Sequence, residues 1–197
     1  MEQLIAAALL WINGLGTYEE YNCLLDEKFL ENPDSDILLE LEWCSSDCKS
    51  TFRVLYNFWT YEYFETFFEV FKAEEFGKTL LYGLESVYNL NSLSLAEFGR
   101  RCNQLSDCLP QELIHVEPYV TLICAVDYTS IGYEEAAREL YKKAFAFYSI
   151  YLTQAVFSKY VVYIINDKPS IIFQKIYCGS YFSVISYSQT YLGNLKF

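Results

Sequence analysis

Histidine is almost absent from this chain, and so are the short motifs that most nucleotide, acyl-transfer and zinc chemistry needs. His115 is the only imidazole, so any Ser-His-Asp or Cys-His system would have to use it. Its setting, ELIHVEPYV, reads as a helix end beside a proline, which suits a structural histidine. GxGxxG, GxxxxGK[ST] and GxSxG are all missing. The seven cysteines, Cys23, Cys44, Cys48, Cys102, Cys108, Cys124 and Cys178, are odd in number and contain no CxxC pair. With a single histidine beside them, they predict no zinc site and behave as free thiols of a reducing compartment.

No uncharged apolar run reaches 18 residues, because Lys159 interrupts the best candidate between Ala144 and Ile165. Leu4 to Ile12 (LIAAALLWI) is as apolar as a signal-peptide core, yet Glu2 is the only charge before it and no base appears until Lys28. A buried first helix in a cytoplasmic protein is the expectation. Positive charge is also scarce and unevenly placed. Of a net −12, the part up to Glu139 carries 25 acids against 8 bases, while Leu140 to Phe197 has only Asp167 against six lysines. Such a field repels nucleic acid and attracts a cationic partner.

What the chain has in quantity is apolar and aromatic surface: 53% hydrophobic residues, with 19 tyrosines and 15 phenylalanines. That is enough to offset conformational entropy, and 197 residues suit one domain. Helix signals run end to end. Thr17 with Glu20 and Ser94 with Glu97 fit the capping box. Pro33, Pro110 and Pro118 fit first-turn prolines, and Gly14 and Gly132 mark breaks. The pattern predicts helices near 2–12, 18–31, 35–44, 47–58, 61–73, 75–88, 95–105, 110–116, 118–128 and 133–165. The fold class is therefore all-α, a single domain over 1–197 of about ten short antiparallel helices, as a bundle or an irregular repeat array. The alternative is α+β, with a hairpin near 160–177 where YVVYII and SIIFQKIY flank a turn.

Phe64, Phe67, Phe68 and Phe71 fall on one helical face and predict core. Glu62, Glu65 and Glu69 form a carboxylate ridge on the other, with Lys72 as the nearby base. A second acidic tract runs Asp26, Glu27, Glu31, Asp34, Asp36, Glu40 and Glu42, broken only by Lys28. Ridges of this kind serve solubility or steer a basic partner. The candidate partner-binding residues are Asp26, Glu27, Glu31, Glu62, Glu65 and Glu69. Arg100-Arg101 with Lys142-Lys143 could hold an anion, but the surplus of acids argues against nucleic acid.

Lys28 to Leu41 (KFLENPDSDILLEL) resembles a short Leu–Asn-Pro-Asp–Leu pattern of small helical proteins encoded near bacterial polymorphic toxins. The resemblance spans 14 residues, and the Trp and Asp/Gly expected just downstream are replaced by WCSSDCKS. It implies a cytoplasmic, acidic, non-enzymatic immunity protein that covers a toxin's basic active cleft. The leading expectation is thus an interaction protein with no cofactor and no metal, whose partner is a cationic protein and neither nucleic acid nor membrane. The alternatives are an enzyme or small-molecule binder with an aromatic pocket near His115, and a helical scaffold.

Overall fold

The computed structural model describes residues 1–62 and 71–148. Among them the chain is helical, without a strand: α1 (Glu2–Ile12), α2 (Tyr18–Glu31), α3 (Asp36–Cys44), α4 (Cys48–Asn57), α5 (Ala73–Asn89), α6 (Leu95–Asp107), α7 (Gln111–Ile114), α8 (Tyr119–Ser130) and α9 (134–148). Met1–Phe147 form one compact unit. The hairpin alternative near 160–177 and the predicted extension of the last helix to 165 lie outside the described residues. No described helix is long and apolar enough to cross a membrane.

The apolar run at the start of the chain is the centre of the core. Leu4, Ile5, Ala6, Ala8 and Leu9 are fully buried, and α1 packs chiefly on α5, then on α2 and α4. A helix apolar nearly all round needs neighbours on every side, and its three alanines let them approach. The helix then stops sharply. The Gly14 N–H donates to the Trp11 carbonyl at 2.9 Å and the Leu15 N–H to the Leu10 carbonyl at 2.8 Å, with Gly14 at φ +67°. This is a Schellman stop, in which a left-handed glycine lets the orphan carbonyls find donors.

Glu2 is buried with them. Its carboxylate accepts the Lys72 backbone N–H at 3.0 Å, which ties the first turn of α1 to the start of α5. Burial pushes its carboxyl up, but that hydrogen bond, its own N–H and the terminal ammonium together hold it below the usual range.

Several sequence expectations need correcting. The break expected after residue 58 is a π-helical turn, Phe58–Glu62, that continues from α4. The wider turn brings Phe58 and Trp59 into the core together. Pro33 lies in the α2–α3 turn ahead of the cap Ser35, while Pro110 and Pro118 are themselves N-cap residues. Thr17 and Glu20 close a full capping box. Ser94 accepts the Glu97 N–H, but the Glu97 carboxylate turns to Arg100 and Arg101.

Candidate partner-binding surface

The α2–α3 hairpin carries the acidic tract, and its geometry follows from simple packing. On α2, Tyr21 and Leu25 are buried, and the Tyr21 ring stacks on Trp11 of α1 with centroids 5.0 Å apart. On α3, Leu38 and Leu41 are buried. The Thr51 hydroxyl donates to the Cys44 carbonyl at 3.1 Å, which fastens the end of α3 to α4. With these residues turned inward, the acids of both helices face out except Glu42, which is half-buried. From Thr17 to Asp47 there are ten acids and one base.

The three sequence candidates on α2 are exposed, but they do not act as one group. Lys28 sits 2.6 Å from Glu31 and 3.9 Å from Glu27, so part of their field is cancelled. Asp26 lies elsewhere on the helix, where its carboxylate accepts from Asn22 at 3.1 Å. The half-buried Glu42 carboxyl on α3 is pushed up first by burial and then by the negative charge of Asp26.

Next to Glu42, Trp43 is 85% exposed, and Leu30 on α2 is 80% exposed. Asp36, Glu40 and Trp43 recur at i, i+4 and i+7, all outward. Sequence reasoning named neither Glu42 nor Trp43 as a site residue, although position 43 lies off the Leu38–Leu41 core stripe, which was the available signal. Of the second ridge, Glu65, Glu69 and the Glu62 side chain lie outside the described residues, as do Phe64, Phe67 and Phe68. Phe71 is buried against Phe76, with centroids 5.4 Å apart.

The other sequence candidates are held within the chain. Glu97 bridges Arg100 and Arg101 at 2.7 Å each, and Arg101 also donates to the Gly14 carbonyl, joining α6 to the α1 stop. Lys142 pairs with Glu139 at 2.8 Å. A cleft of about 250 Å³ opens between Tyr88, Asn91, Ser94, Phe98 and Arg138, below the usual size of a ligand pocket. Its one guanidinium is engaged by Tyr88 and by Glu134, the latter 3.5 Å away. His115 is exposed and does not line it. Among the described residues no three His, Cys, Asp or Glu side chains gather as metal ligands.

The Glu97 bridge makes a test in acid. Hydrogen bonds from Arg100 and then Arg101 hold its carboxyl down to about 2, against an ordinary value near 4.5. A lowered folded-state pKa contributes stability that is present above the unfolded value and lost as pH falls through the folded one. The urea midpoint of wild type should therefore exceed that of Glu97→Gln at pH 7, and the gap should close between pH 4.5 and 2. A gap that stays constant over that window would remove the bridge as its cause.

Compared with family models, with curated proteins and with solved structures, the chain has no match.

Proposed function

We propose that this chain is a non-enzymatic binding protein whose acidic α2–α3 hairpin covers a basic surface on another protein. In its most specific form it is an immunity protein that blocks the cationic active cleft of a cognate bacterial toxin. The observation that carries the reading is the surplus of ten acids over one base from Thr17 to Asp47, beside a tryptophan, Trp43, that is 85% exposed. Lysines or arginines from a partner would offset this surplus of negative charge, and Trp43 would bury a large ring in the same event. Tryptophan set among charges that need a counter-ion is a common hot-spot composition. The segment that resembles the immunity proteins, 28–41, forms the end of α2, the turn and most of α3, so the resemblance and the electrostatics fall on one hairpin.

The test is co-expression with the products of the adjacent open reading frames, followed by titration of any purified complex with the full chain. Trp43→Ala should weaken the complex by at least about tenfold. Asp26→Lys with Glu42→Lys should weaken it by about 100-fold or more and flatten its salt dependence. A complex whose Kd and salt slope ignore all three changes would rule out this hairpin as the interface.

A further inference from the structure

α1 and α8 are both rich in apolar residues but differ in their surroundings. Both are apolar nearly all round, as a buried helix is. Among the described residues α1 has neighbours on nearly all sides, whereas α8 is covered on one side. Tyr119, Thr121, Leu122, Ala125 and Val126 face inward. The outward side carries Val120, Cys124, Tyr128 and Ile131, at i, i+4, i+8 and i+11, all exposed, with Ile131 at 64%. A solvated helix face of this length usually carries several charges; here Asp127 is the single one in the stripe.

The stripe ends in a fixed aromatic pair. The helix closes on a second Schellman stop: the Gly132 N–H reaches the Thr129 carbonyl at 3.2 Å and the Tyr133 N–H reaches the Tyr128 carbonyl at 2.9 Å, with Gly132 at φ +82°. This geometry sets Tyr133, 62% exposed, edge-on against Tyr128 with centroids 6.1 Å apart. Two rings held by the backbone lose little freedom when a partner lands on them. Beyond them stand Glu134 and Glu135, both exposed.

We propose that the outward face of α8 is a second docking surface, and that its occupant is a cationic amphipathic helix of another protein. Its apolar side would lie along Val120, Cys124, Tyr128 and Ile131, and its lysines or arginines would flank it beside Asp127 and Glu135. A second copy of this chain fits poorly. A two-fold pairing would set the same acids against each other, in a chain already at −12. This surface is independent of the α2–α3 hairpin and stands or falls without it.

The experiment uses the full chain and a synthetic helix with Leu at i, i+3, i+4 and i+7 and Lys at the remaining positions. Cys124 on α8 and Cys23 on α2 are both exposed, so alkylation rates resolved by mass spectrometry report the two surfaces separately. The peptide should slow Cys124 by about fivefold or more and leave Cys23 unchanged. Tyr128→Ser with Ile131→Ser, and equally a peptide with Ser in place of Leu, should weaken binding by at least about tenfold. Protection of Cys23 alone would overturn the proposal and favour the hairpin. It would also be overturned by equal binding of the serine peptide or by no binding. Two further results would overturn it: a self-association that Ile131→Ser dissolves, or a photocrosslinker at position 120 that captures residues 149–197 of the same chain.

Discussion

Phe98→Ala is expected to lower the unfolding free energy by about 3–5 kcal/mol, the upper range for truncating a buried ring. Phe98 is 2% exposed on α6 and meets Tyr88 of α5 at 5.3 Å and Tyr141 of α9 at 5.2 Å, both edge-on. Tyr141 in turn stacks on Phe145 at 6.1 Å, and Tyr88 touches both. One side chain thus joins three helices. Its loss removes the apolar transfer term, about 1.5–3 kcal/mol, and edge-to-face contacts of about 0.5–1.5 kcal/mol each. Collapse into the gap is hindered because the surrounding rings are fixed on separate helices, and the Tyr141 hydroxyl is 3.4 Å from that of Thr129. Phe98→Leu, which keeps most of the volume, should cost about 1.5 kcal/mol or less. Urea denaturation at fixed pH measures both. A deficit under about 1 kcal/mol for the alanine variant would show that this aromatic junction does not carry the packing assigned to it.

The helices were legible where the signal is local. Thr17 and Glu20 fixed the start of α2 because a cap needs only residues within one turn, and Gly14 fixed the end of α1 because a left-handed residue there favours glycine. The partners of charged side chains were not legible in this way. Glu97 matched the capping box by spacing, but two guanidiniums one turn ahead offer charge-assisted hydrogen bonds that a single backbone N–H cannot match. The candidate surface shows the same limit. Asp26, Glu27 and Glu31 follow one another as a run in the sequence, while the fold separates them: Glu27 and Glu31 share Lys28, and Asp26 accepts from Asn22 instead. Periodicity tells which residues share a face of one helix. It does not tell which faces of two helices meet, and that pairing leaves Glu42 half-buried in the field of Asp26.

Gly99→Leu is expected to cost at least about 3 kcal/mol, because even the first side-chain carbon at position 99 would meet Thr129 where α6 crosses α8. A Cβ built on Gly99 would lie 2.7 Å from the Thr129 Cγ2 and 3.1 Å from its Cβ. Thr129 has little freedom to retreat, since its hydroxyl donates to the Ala125 carbonyl at 2.8 Å. Two effects compete in Gly99→Ala. Alanine gains about 1 kcal/mol over glycine within a helix, whereas overpacking a closed contact costs about 1–3 kcal/mol. The clash should win, by up to about 2 kcal/mol. Thr129→Ser removes the methyl that clashes and keeps the hydroxyl. In that background Gly99→Ala should become neutral or stabilising, so the cycle should show a coupling of about 1–3 kcal/mol. Additivity of the two changes would mean that Gly99 is tolerated for some reason other than the approach of α8. Coupling of the expected sign would mean that the crossing distance is set by the absence of one side chain at position 99. The same crossing turns the buried side of α8 toward α6.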